Sequence, residues 1–319
     1  MPSTPTAATR APSPAATQGF GMTDAGLVLM ATIWGVNYSV VKTGLQAMTP
    51  LSFTAVRMVS AAAVLFLIAR VVKNTWPSRR DTMHLLVFGL IGNGVYQLLF
   101  ISGMARTRAG VAALIVAAGP AWIAIMSRLL GRERVSRLGW AGIVLQLIGV
   151  LCVVGSTQGF EGGEQGLIGA MLISGGSIIW ALYSVLLQPY TQRMNALPLS
   201  AITLASGALM MAVAGAPDML RLDWGGVSLA GWGAVMYSSL GAMVIGYMLF
   251  YQGVRVLGPT KTAMYGNLQP IIAIAVAWAL LHEKPTGWQL LGAAFVMAGL
   301  LVSRTAKVRP APEALEEAA

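Results

Sequence analysis

The sequence predicts an all-α integral membrane protein with ten transmembrane helices, arranged as two inverted five-helix repeats around a central cavity. Three observations carry that expectation. Hydrophobic residues make up 56% of the 319-residue chain and charged residues only 10%, whereas a water-facing domain needs about a quarter charged residues. Apolar runs of bilayer-spanning length recur from end to end. Finally, residue types return after 150 positions: Leu99 and Phe100 as Leu249 and Phe250, Gly103 as Gly253, Pro120 as Pro270, Glu133 as Glu283, Gly142 as Gly292, and Gly149 as Gly299. A shorter echo at another offset pairs "IWGVNYSV" at 33–40 with "IWALYSV" at 179–185.

Residues 1–23 are rich in Pro, Ala, Thr and Ser, with Arg10 their sole charge, and read as a disordered tail, not a cleaved signal peptide. Ten apolar spans follow, near 24–43, 50–72, 81–103, 107–130, 136–155, 166–188, 196–215, 228–255, 259–281 and 286–304. Each must be helical, because backbone groups in lipid have to be satisfied within their own segment. The first carries Trp34, Asn37 and Tyr38 on one helical face. The second opens at Pro50 and holds Arg57, the only basic residue well inside a span. Its readings stay open: a carbonyl partner, a substrate carboxylate, or snorkelling from a tilted helix.

In the third span Asn93, Tyr96, Gln97 and Phe100 share a face, and in the sixth Trp180, Tyr183 and Ser184 do. The eighth places Tyr247 and Tyr251 one turn apart, and the ninth gathers Tyr265, Asn267 and Gln269 before Pro270. Amides within a bilayer are costly unless they face protein or water, so these faces are expected to point inward. Helix-to-helix adhesion is the competing reading for any single Asn or Gln. Pro120 and Pro270 each remove a backbone donor inside the fourth and ninth spans; a hinge and a static kink are both open. Gly142/Gly149 and Gly292/Gly299, seven apart, suit close helix packing within the protomer or in a homodimer. The stretch 305–319 turns polar and acidic, a second tail.

Basic residues set the orientation. With the amino terminus inside, fifteen Lys and Arg fall on the cytoplasmic side and five outside, which places both termini in the cytoplasm of an inner (plasma) membrane. Five spans per half is an odd number, so the second half enters from the opposite side. Inverted halves are characteristic of alternating-access transporters. The net charge of +10 belongs to these loops, so nucleic acid is not an expected partner. The lone Cys152 excludes an intramolecular disulfide, and no cofactor or metal site is expected. No His lies mid-span and no hydrolase motif is present, which argues against a membrane enzyme.

With Trp34-Gly35-x-Asn37, Lys42, Pro50, Arg57 and the Gly, Pro, Glu and paired-Gly order of both halves in view, the chain resembles the EamA-type branch of the drug/metabolite transporter superfamily. The resemblance covers about 24–304 and implies five-helix repeats over 24–155 and 166–304. It also implies a cavity lined mainly by the first, third, fourth, sixth, eighth and ninth helices, with the fifth and tenth peripheral. The nearest functional expectation is the YddG-like subgroup exporting aromatic amino acids. All eleven Asp and Glu lie at span ends, in loops or in the tail, so a buried proton carrier is missing and facilitated diffusion is plausible. Proton-coupled export of other metabolites or lipophilic drugs is the alternative within the class, and a channel or membrane-embedded enzyme is the alternative from another class. The expected solute-binding residues are Trp34, Asn37, Tyr38, Asn93, Tyr96, Gln97, Trp180, Tyr183, Tyr247, Tyr265, Asn267 and Gln269, with membrane lipid as the surrounding partner.

Overall fold

A computed structural model describes residues 21–72, 75–159, 163–305 and 309–310. Among them ten helical rods follow one another: α1 Met22–Ala47, α2 Pro50–Val71, α3 Arg79–Arg106, α4 Ala109–Leu129, α5 Arg137–Gly159, α6 Gly163–Arg193, α7 Ala196–Arg221, α8 Leu229–Leu257, α9 in two pieces (Pro259–Tyr265 and Leu268–Leu281), and α10 Gly287–Thr305. Nine of the rods are long and apolar enough to cross a membrane; the apolar part of α10, Gly287–Val302, is shorter. Helix α1 begins at Met22, inside the expected first tail, while residues 1–20 and most of the second tail lie outside the described residues. Arg309 and Pro310 pair antiparallel with Arg134 and Glu133.

Hydroxyl side chains start the helices. The first four amides of a helix lack partners, and here Thr49 accepts from Ser52 N, Ser78 from Asp81 N, Ser136 from Gly139 N and Ser228 from Gly231 N. Thr286 and Gln289 close a reciprocal capping box at the start of α10. Gly258, at φ 82°, makes the turn from α8 into Pro259 that a residue with a Cβ adopts only under strain.

Two departures from regular helix were not legible in the apolar pattern. Residues Leu90–Val95 of α3 and Tyr237–Ile245 of α8 are π-helical, overlapping after a shift of 150 residues. Helices α4 and α9 are broken at corresponding places, after Val116 and after Tyr265, one turn before Pro120 and Pro270. Tighter i→i−3 bonds bridge the breaks, such as Ala118 N to Ile115 O and Asn267 N to Met264 O. Each proline thus sits at the start of a second helical piece, where its missing N–H costs nothing.

The helices run closest together where α5 meets α10 and α2 meets α7; α3 also packs on α6, α1 on α8 and α9, and α4 on α6. Shifting every helix by five exchanges α3/α6 with α8/α1, and α1/α9 with α6/α4. Where α5 crosses α10, Gly149 lies against the Gly292 carbonyl and Gly299 against that of Gly142. The numbering runs oppositely along the two helices, so they are antiparallel. The apolar core lies between these rods, and Leu67, Val71, Leu209, Val213, Leu220 and Leu280 project from their outer faces, as a lipid-facing surface requires.

Candidate functional site: an aromatic cavity in the bundle

One cavity of about 100 Å³ lies within the bundle, walled by α1, α2, α3, α4, α6, α8 and α9, with space for several waters. Trp180 of α6 is its hub. Its ring centroid lies 5.0 Å from Tyr96, 5.3 Å from Phe250, 5.7 Å from Tyr247 and 6.2 Å from Trp34. Tyr38 and Tyr96 meet across Phe100 at 5.9 and 5.7 Å. Tilted and edge-on contacts of this kind suit the ring quadrupoles.

The π-helical stretch of α8 fixes α1. Trp34 Nε1 donates to the Ala242 carbonyl at 2.9 Å, Tyr237 donates to the Ile33 carbonyl at 3.1 Å, and Ser238 donates to Asn37 Oδ1 at 2.7 Å. Gly246 is needed beside them, because a Cβ there would enter the Trp34 indole. A polar string crosses the wall: Arg57 Nη2 donates to Gln97 Oε1 at 2.9 Å, and Gln97 Nε2 donates to Tyr247 at 3.3 Å. Tyr38 donates to Gln269 Oε1 at 3.5 Å, and Asn267 Nδ2 to the Met264 carbonyl at 2.8 Å. Two buried atoms of lining residues have no hydrogen-bond partner, Arg57 Nε and Asn267 Oδ1.

Of the residues expected from sequence, Trp34, Asn37, Tyr38, Tyr96, Gln97, Trp180, Tyr247, Asn267, Gln269 and Pro120 line this cavity; Asn93, Tyr183, Tyr265 and Pro270 do not. Asn93 and Tyr183 lie in a separate polar knot. There Asn93 Nδ2 donates to the Tyr183 hydroxyl at 3.3 Å, which shares a 2.5 Å hydrogen bond with Tyr251. The π-helical turn of α3 carries Asn93, and neighbouring Gly92 lies against the Tyr183 ring. A helical wheel of period 3.6 cannot anticipate where such a turn sends a side chain. Tyr265 donates to Asp24 at the start of α1, so it ties a helix end instead of walling the cavity.

The wall also contains residues left out of the expected set: Arg57, Phe100, Phe250, Ser177 and Thr262. The 150-residue repeat had marked Phe100 and Phe250, but an isolated Phe in an apolar run carries no polarity signal. Replacing Tyr183 with phenylalanine would remove the hydrogen bonds that its hydroxyl makes to Asn93 Nδ2 and to Tyr251, a cost of about 1–3 kcal/mol. The expected result is a lower melting temperature with ligand affinity at the cavity unchanged, read by thermal denaturation and equilibrium binding.

Glu283, beyond the end of α9, accepts from Ala109 N and Gly110 N at 3.4 and 3.5 Å and so caps α4. Among the described residues no group of three or more His, Cys, Asp or Glu side chains could hold a metal.

The pattern of the EamA-like transporter family matches residues 22–155 and again 167–305. The chain is 27% identical to the uncharacterized transporter YyaM of Bacillus subtilis (strain 168), over 84% of this chain and 89% of that one. It is 28% identical to the uncharacterized inner membrane transporter YedA of Escherichia coli (strain K12), over 87% and 89%. It is 27% identical to a protein of Salmonella typhimurium (strain LT2) named "Probable amino-acid metabolite efflux pump", over 88% and 96%. A solved crystal structure superposes with a TM-score of 0.65 at 18% identity, over 87% of this chain and 95% of the other, a likeness of fold alone. With the family pattern covering most of both halves and apolar helices long enough to cross a bilayer, this chain belongs to the EamA-like transporter family and is a multi-pass membrane transporter.

Proposed function

We propose that the protein exports amino acids, aromatic ones in preference, together with related small metabolites, by alternating access through the aromatic cavity. The observation that carries this reading is the cage itself: four rings around Trp180, contributed by α1, α3 and α8, with amides from α1, α3 and α9 between them. An apolar body with a hydrogen-bonding head fits such a wall. The printed name of the Salmonella relative points the same way. At about 100 Å³ the cavity is smaller than the ~300–1,000 Å³ of small-molecule sites, so a solute enters after the walls part.

In this reading two inverted halves, 24–155 and 166–304, rock about the breaks before Pro120 and Pro270. The antiparallel glycine crossing of α5 and α10, the five-helix shift in packing partners, and the matched π-helical turns support the inversion. Trp34, Tyr38, Tyr96, Trp180 and Tyr247 stack on the solute, while Asn37, Gln97, Asn267 and Gln269 bond its polar groups. Both termini face the cytoplasm of the inner membrane, and a homodimer is compatible with the chain.

Among the described residues no Asp or Glu lines the cavity, which favours a facilitator over a proton-coupled exporter of other metabolites or lipophilic drugs. The test is uptake of labelled phenylalanine or tryptophan into liposomes carrying the purified protein, with and without a proton gradient. Saturable uptake that only equilibrates is expected. Accumulation driven by the gradient would favour the coupled alternative, and no uptake above empty vesicles would sink the aromatic amino acid reading.

A further inference from the structure

Among the described residues the cavity wall carries a single charged one. Arg57 is 1% exposed, deep in the bundle, and its guanidinium carbon lies 5.2 Å from the centre of the Phe53 ring. Its hydrogen bond to Gln97 Oε1, at 2.9 Å, goes to a neutral acceptor, and its Nε has no partner. Among the described residues no carboxylate forms an ion pair with it, and none lines the cavity. A guanidinium cannot shed its proton to escape such a place, and a buried cation without an anion is a severe deficit. Snorkelling, which would place the charge in water or among headgroups, does not fit a side chain this buried.

We infer that Arg57 is the anion subsite of the cavity: it receives a single carboxylate of the transported solute, and solutes without an anionic group are refused. The inference deepens the proposed function and rests on that reading of the cavity as the transport site. Two features define the subsite. Gln97, itself bonded to Tyr247, and the Phe53 ring hold the guanidinium in place, so little ordering is lost when an anion arrives. Among the described residues no second Lys or Arg lines the cavity, which matches one negative charge and leaves a dianionic phosphate under-compensated.

The other partnerless atom is an acceptor, Asn267 Oδ1, also on a lining residue. An α-amino acid offers a complement to both, a carboxylate for Arg57 and an ammonium for Asn267. An aromatic amine satisfies only the smaller deficit and leaves the cation bare beside a second one. The expected order of affinity is therefore amino acid, then monocarboxylate, with amide and amine far behind.

The experiment measures equilibrium binding and thermal shift on the purified full chain in detergent. The probes are phenylalanine, 3-phenylpropionate, phenylalaninamide and phenethylamine, with leucine and leucinamide as an aliphatic pair. Each acid is expected to bind about thirtyfold or more tighter than its amide, the scale of leaving a buried charge unpaired. This comparison needs no variant. Arg57→Gln should erase the preference for acid over amide. Gln97→Glu places a carboxylate 2.9 Å-range from the guanidinium, so it should raise the melting temperature of the free protein and abolish binding of the acids.

Amides that bind as well as acids would overturn the Arg57 assignment while leaving the aromatic reading intact. Leucine binding with no phenylalanine binding would remove the aromatic preference and support the carboxylate subsite. Loss of the acid preference to chloride at equal ionic strength would show that a small inorganic anion occupies the site, and would overturn the assignment to solute. Failure of every probe would overturn both.

Discussion

Replacing Trp180 with alanine is expected to lower saturable flux by about tenfold or more while Trp180→Phe retains most of it. Trp180 touches Trp34, Tyr96, Tyr183, Tyr247 and Phe250 with centroids between 5.0 and 6.2 Å. Each such pair contributes about 0.5–1.5 kcal/mol beyond buried area, and loss of two of them already corresponds to about a tenfold change. Truncation also opens a void, at a cost of about 3–5 kcal/mol in a packed core. Stability must therefore be read beside transport. Phenylalanine separates the two effects, because it keeps a ring at the hub and fills most of the void. Equal flux from the alanine variant and the unaltered protein, both folded, would remove Trp180 from the solute path.

Gly299→Leu should damage the fold and spare the chemistry. A Cβ at Gly299 would sit 2.6 Å from the Gly142 carbonyl oxygen and 2.7 Å from Gln146 N. Both are backbone atoms on α5, and no rotamer change moves them aside. The helices would have to separate along a crossing where Gly149 makes the same approach to Gly292, at 2.7 Å. Overpacking of this kind costs about 1–3 kcal/mol, and small residues are what allow membrane helices to meet so closely. The expected readout is a melting temperature several degrees lower and less monodisperse protein. No residue of α5 or α10 lines the cavity, so the fraction that folds should keep an unchanged KM. A normal melting temperature would mean that the crossing is looser than the glycines imply.

Much of the architecture was legible before any coordinates. The apolar spans located the helices because lipid leaves a backbone no partner but itself. The glycine pairs suited close packing within the protomer or in a dimer, and only the structure brings Gly142 and Gly149 against Gly299 and Gly292. Polar and aromatic side chains at helical spacing pointed to nine residues of the cavity wall, because an amide in hydrocarbon has few places to go. The reasoning weakened where local geometry left the 3.6-residue period. Asn93 shares a face with Tyr96 and Gln97 on a regular wheel, yet the π-helical turn carries it into the knot with Tyr183 and Tyr251.

The sequence by itself determined that this chain lives in a membrane and where its helices run, since both follow from the cost of polar groups in lipid, and that its halves repeat, since residue types return after 150 positions. Only the tertiary structure decided which polar groups satisfy one another and which are left over. Sequence alone left Arg57 open among three readings; its burial excludes snorkelling, and its hydrogen bond to the Gln97 side-chain carbonyl leaves Nε unpartnered, the atom on which the proposed solute carboxylate rests. Partnership is a property of distance between helices far apart in the chain, and no local pattern encodes it.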